Sequence, residues 1–176
     1  MKRTFYKTES HLLNFRWTTS RGRATYGYNI CSLYVDGDKV AACNGGGYDM
    51  KGTCLAAFMC AAFHEELLAL RQPFYGLTFH DPNFNPATTV IEGQTVAERE
   101  KEGKSLGLER YQAYYAASSE LPTERHTQPD FNGACGMSSV EKVLKAIGWS
   151  LRFSDDRRNE QSFILEPVTQ EAPCPA

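Results

Sequence analysis

The sequence has no apolar run close to the ~18–20 residues that a helix needs to cross a bilayer, so no membrane partner is expected. The opening residues, MKRTFYKTES, are basic but lead into no apolar core, which predicts no secretory signal. There is no C-x-x-C pair and no Cys/His set with zinc-finger spacing, so no metal site is predicted. A phosphate-binding loop is missing too. Gly103-Lys104-Ser105 ends like one, but Glu98 stands where its first glycine is required. No cofactor is expected, and no internal repeat is visible. Nor is one sign of charge in excess: 19 basic and 21 acidic residues leave a net charge of -2.

What is present fits an ordinary globular protein. The chain has 176 residues, 41% of them hydrophobic and 23% charged, which is enough to bury a core without disulfides. Length predicts a single domain over residues 1–176, with a frayed tail from about residue 167. The cysteines are Cys31, Cys43, Cys54, Cys60, Cys135 and Cys174. Unpaired in spacing, with Cys31 and Cys43 set among small or apolar residues as buried free thiols usually are, they predict a reducing, intracellular compartment. A meeting of Cys31 and Cys43 across a hairpin stays open.

Strand signals come first along the chain: residues 14–19, then the aromatic and β-branched stretch 26–35, then residues 39–43 after an Asp36-Gly37 hairpin turn. Residues 3–7 are a candidate fourth strand at the edge. A glycine-rich loop, NGGGYDMKGT, leads into a helix over 51–70 with apolar residues at i, i+3, i+4 and i+7. Residues 74–79 predict a short strand, 80–89 a loop, 94–117 a helix and 118–133 a second loop. Ser138 to Ile147 is the clearest helix, with Ser138-x-x-Glu141 as a capping box and Gly148 as its stop. WSLRF at 149–153 and SFIL at 162–165 read as a closing pair of strands. The expected fold is α+β: a largely antiparallel sheet, made of an N-terminal meander and C-terminal strands, with helices on one face.

Three groups of residues are candidates for function. The first is basic and aromatic. Residues 1–28 carry six basic residues against Glu9. Arg16, Trp17, Arg21 and Arg23 cluster near one turn, where arginines can pair with phosphates and aromatic rings can stack on bases. The second is the glycine loop, where Gly45, Gly46, Gly47, Tyr48, Asp49 and Lys51 could meet a ligand through backbone N–H groups. The third is Cys135, between two glycines at the start of a helix, where the dipole favours a thiolate. With His126 or His80 as base it would make a cysteine-dependent hydrolase or transferase. Both histidines precede the cysteine, against the usual order in thiol peptidases that open this way. The 45–49 and 133–136 loops are expected to border one concave surface.

The strings FRWTTSRGRATYGYNICSLYV, NGGGYDMKGT, GKSLGLERYQAYYAASS and DFNGACGMSSVEKVLKAIG together resemble a family of small phage- and prophage-encoded proteins of unassigned function. The resemblance spans roughly residues 14–153 and brings no catalytic residues. It implies a bacterial cytoplasm and an accessory role in infection, exercised by binding a nucleic acid or by inhibiting a host enzyme or defence complex. The leading expectation is therefore a binding protein whose partner is a nucleic acid or a host protein. The thiol enzyme centred on Cys135 is the alternative.

Overall fold

The computed structural model describes residues 5–18, 30–44, 49–70, 74–85, 87–88, 90–91, 93–105, 126–131 and 136–168. In chain order the elements are β1 (His11–Thr18), β2 (Ile30–Val35), β3 (Asp38–Asn44), α1 (Met50–Ala62), α2 (His64–Leu70), β4 (Leu77–His80), β5 (Val90–Ile91), β6 (Gln94–Thr95), α3 (Val96–Ser105), β7 (Gln128–Phe131), α4 (Met137–Ala146), β8 (Trp149–Arg157) and β9 (Glu160–Pro167). They divide into two compact units, Met1–Thr78 with Pro129–Ala176, and Phe79–Gln128.

The larger unit is built on a five-stranded antiparallel sheet in the order β3-β2-β1-β9-β8. The expected meander is there. Asp36 and Gly37 turn between β2 and β3 with φ of 49° and 92°, the paired positive values that suit a tight hairpin and that glycine and aspartate tolerate. The closing pair β8–β9 is also a hairpin, and β9 docks on β1 so that Leu13 faces Phe163 and Phe15 faces Gln161. Helices pack against this sheet, so the fold is α+β.

Period-two alternation sorts the side chains. His11, Leu13 and Phe15 of β1, Cys31, Leu33 and Val35 of β2, Leu165 of β9 and Trp149 of β8 are buried on the face that receives the helices. From α1 come Leu55, Phe58 and Met59, and from α4 Val140, Val143 and Leu144. Each of the valine, leucine, phenylalanine and methionine side chains among them contributes about 1.5–3 kcal/mol when taken from water.

Five expectations need correction. Phe5 and Tyr6 add no strand to the sheet, because β9 already occupies that side of β1. Phe5 instead enters an aromatic cluster, its ring 5.4 Å from Phe58 and Phe63 and 5.9 Å from Trp149. The helix expected over 51–70 is two helices bent by 96°. The bend falls at Phe63, which leaves helical geometry while its buried ring packs against Trp149 at 5.0 Å. Within the expected 118–133 loop, β7 is a strand, and it pairs with β4. Thr78 Oγ1 donates to the Asp130 carbonyl oxygen there at 3.3 Å. The helix expected to begin at residue 94 begins at Val96, after the short β5–β6 hairpin. Its continuation over 106–117 lies outside the described residues. Finally, β9 runs through Pro167, and the Val168 N–H donates to the Gly148 carbonyl at 2.8 Å. The tail from 169 lies outside the described residues.

One polar contact ties β1 to the β2–β3 turn. His11, 3% exposed, has Nδ1 2.6 Å from Asp36 Oδ2 and Nε2 2.7 Å from the Tyr6 carbonyl oxygen. Asp36 Oδ1 accepts the Leu12 N–H at 2.9 Å, and the Phe5 ring lies 4.3 Å from the imidazole. Removing the ring leaves two acceptors without their partner as well as a cavity. His11→Ala should therefore lower stability by about 2–4 kcal/mol in urea unfolding. A double-mutant cycle with Asp36→Ala should show a coupling of about 1 kcal/mol or more. Additive effects would mean that the pair contributes nothing as a pair.

Candidate functional site

Asp49 is the side chain on which two helix starts converge. Its Oδ1 accepts the Gly52 N–H at 3.1 Å, an ordinary N-cap for α1. Its Oδ2 accepts the Met137 N–H, the first of α4, at 2.7 Å. Gly136, the N-cap residue of α4, has no side chain to do this. One carboxylate thus serves the positive ends of two helix dipoles. The end of the glycine loop and the end of the 133–136 segment meet at this carboxylate.

The expected Ser138–Glu141 capping box is not used. α4 begins at Met137, one residue before Ser138, and takes its cap from Asp49 across the fold. A capping box does form at α3, where sequence inspection passed over Thr95-x-x-Glu98. Glu98 Oε2 accepts from the Thr95 hydroxyl and N–H, both at 2.7 Å, and the Glu98 N–H donates to Thr95 Oγ1 at 3.2 Å. The Thr95 hydroxyl, and then its N–H, hold the Glu98 carboxyl below the usual carboxylate range.

Beside the Asp49 junction lie three thiols. Cys43 Sγ donates to the Met50 carbonyl oxygen at 3.3 Å. Cys54 Sγ is 3.4 Å from the Cys31 carbonyl oxygen and 3.5 Å from Cys43 Sγ. Its single proton can serve only one acceptor at a time. Cys31 and Cys43 face each other across the β2–β3 ladder, the meeting left open by the sequence. Contact with the Cys54 thiol draws the Cys31 thiol below its ordinary pKa, against the effect of burial. Burial, reinforced by Cys54, pushes the Cys43 thiol up to about 12. The contact with Cys31, followed by burial, pushes the Cys54 thiol up as well. Lys51 extends from α1 to Gln161 of β9, with Nζ 2.9 Å from Oε1 and 5.8 Å from the Phe163 ring centre.

The basic and aromatic candidates separate by alternation. Trp17 lies on the helix-covered face, opposite Cys31, whereas Arg16 points to the other side, opposite Ser32 and Glu160. On that outer face Arg16 Nε donates to Glu160 Oε2 at 2.9 Å, and its guanidinium stacks 4.4 Å from the Tyr34 ring centre. Asn14 Nδ2 donates to Ser162 Oγ at 2.8 Å and to Glu160 Oε1 at 3.1 Å. Arg152 and Glu166 pair at 3.5 Å. Leu12 is 40% exposed there, next to the partly exposed Ile164. Glu160 and Tyr34 were missed as site residues, although strand alternation from Arg16 could have pointed to Tyr34 once the hairpin register was fixed.

Arg21, Arg23, Gly45, Gly46, Gly47, Tyr48 and Cys135 lie outside the described residues. His80 is exposed at the end of β4 and His126 is half-buried ahead of β7. The segment after His80 is turn chemistry: Asp81 Oδ1 accepts the Asn83 N–H at 2.8 Å and Asn85 Oδ1 the Ala87 N–H at 3.0 Å. Among the described residues, no group of three His, Cys, Asp or Glu side chains is placed to hold a metal.

Because Asp49 caps two helices, Asp49→Ala should cost about 2–4 kcal/mol in urea unfolding, twice an ordinary cap. Ser138→Ala, at an exposed residue that caps nothing, should stay within about 0.5 kcal/mol. A Ser138 effect as large as that of Asp49 would return the cap to the local box. Comparison with protein families, with curated proteins and with solved structures finds no match for this chain.

Proposed function

We propose that this chain is a binding protein that meets a protein partner on the outer face of its five-stranded sheet. The observation that carries this reading is the state of Arg16. Its positive charge is already balanced by the Glu160 carboxylate and one face of its guanidinium is stacked on the Tyr34 ring, so a nucleic-acid phosphate would meet a neutralised cation there rather than a free one. Arg152 is likewise paired with Glu166. Beside these neutralised arginines lie the exposed Leu12 and its neighbour Ile164. An apolar centre flanked by tyrosine, arginine and paired charges is the composition of protein–protein contacts. The helices α1 and α4 of this unit pack on the opposite face. The resemblance to phage-encoded accessory proteins supports a host protein as the partner and inhibition as the outcome.

The test joins two measurements. Capture from a bacterial lysate should retain a specific protein on the wild-type chain. Leu12→Glu should abolish that retention, and Lys142→Glu, a change on α4, should leave it intact. Single- and double-stranded oligonucleotides should show no binding at about 150 mM salt. Oligonucleotide affinity that falls steeply with salt would instead assign the chain to nucleic acid. Capture insensitive to Leu12→Glu would remove this face from the account.

A further inference from the structure

The thiols beside α1 have no part in the binding face, and their geometry supports chemistry of its own. Cys43 is the penultimate residue of β3 and Cys54 lies in the second turn of α1. The glycine loop runs between them. Their sulfurs are 3.5 Å apart, and a disulfide needs about 2.05 Å. That gap is within reach of side-chain rotation and a small shift of one helical turn.

We propose that Cys43 and Cys54 form a reversible dithiol–disulfide site, oxidised by low-molecular-weight disulfides, that fastens the end of β3 to α1. Access sets the order of events. Cys43 is half-buried while Cys54 is 1% exposed, so the oxidant meets Cys43 first. The Cys43 thiol loses its proton to solvent and attacks one sulfur of the oxidant R–S–S–R. A Cys43–S–S–R bond forms and one R–SH leaves. Cys54 then loses its proton and attacks the Cys43 sulfur, forming the Cys43–Cys54 bond and releasing the second R–SH. Two protein thiols are oxidised and one small disulfide is reduced to two thiols. Only the thiolate attacks, and burial holds the Cys43 thiol near 12. The first step is therefore slow at neutral pH and speeds up about tenfold per pH unit through the range below that value. Cys31, facing Cys43 in the ladder, is the competing partner.

Glutathione disulfide is the probe. The folded full chain is incubated with it, quenched in acid, alkylated and mapped by mass spectrometry. The expected product is a Cys43–Cys54 cross-linked peptide, with an intact mass lower by about 2 Da and restored by dithiothreitol. Cys31→Ala should still give this product. Cys54→Ala, checked for folding by circular dichroism, should stop at a glutathione adduct on Cys43. A Cys31–Cys43 link, or a Cys43 adduct that persists in the wild type, overturns the proposal, and this outcome needs no variant. A rate that levels off between about pH 7 and pH 9 assigns entry to a thiol of ordinary pKa and overturns it as well.

Discussion

Asp49 holds together parts of the chain that are distant in sequence. Its carboxylate receives one N–H from α1 and one from α4, and these two helices cover the sheet. Helix starts leave N–H groups that need an acceptor, and in most helices a local side chain supplies it. Here α4 starts on Gly136, which has no side chain. A Cβ at that position would lie 3.5 Å from Asp49 Oδ2, ordinary contact. The glycine supplies no cap of its own, so the helix takes its acceptor from Asp49, and this fixes where α4 stands relative to α1. The spacing of the two helices over β2, β3 and β8 follows from that.

The two faces of the sheet have opposite characters, and strand alternation is the cause. Inside, apolar and aromatic side chains meet the helices, with His11 a buried polar member bonded at both ring nitrogens and Gln161 bonded to Lys51 of α1. Outside, Asn14, Arg16, Tyr34, Glu160 and Ser162 form a connected polar surface. The local excess of positive charge in the N-terminal sequence does not survive there as free cations at Arg16, because β9 brings Glu160 alongside. A charge count along the chain misses this, since the neutralising residue is 144 positions away.

Local signals in the sequence were legible where local physics decides. The alternation of β2, the Asp36-Gly37 turn and the 3.6-residue stripe of α4 ending at Gly148 all formed as expected. Signals that depend on distant packing were not. The break at Phe63 is invisible because the stripe continues through it, and only the pocket made by Phe5, Phe58 and Trp149 draws the ring out of register. β7 contains Pro129 and reads as loop, yet it finds a partner in β4. Ser138 and Glu141 have the right types for a cap, but Asp49 reaches the N–H first. At the candidate site, the glycine loop pointed to Asp49 and Lys51 as ligand contacts, but their roles as a double helix cap and as a link to Gln161 depend on α4 and β9 and were not legible. Nor was the approach of Cys54 to Cys43, because it depends on how α1 lies across the hairpin.

The pairing of β1 with β9 also governs when the sheet can be completed. Asn14 and Ser162 bond across 148 residues of chain. On a ribosome adding about 5–20 residues per second, β1 waits roughly 7–30 s for the strand that completes its second edge. Through that interval the β1–β2–β3 meander presents an unpaired strand, the kind of edge that seeds association between nascent chains. The polar outer row of Asn14, Arg16 and Thr18 makes that edge less adhesive than the buried row beside it. The order of synthesis therefore places the greatest risk of misassembly before β9 emerges, and a chaperone that shields extended segments would act in that window.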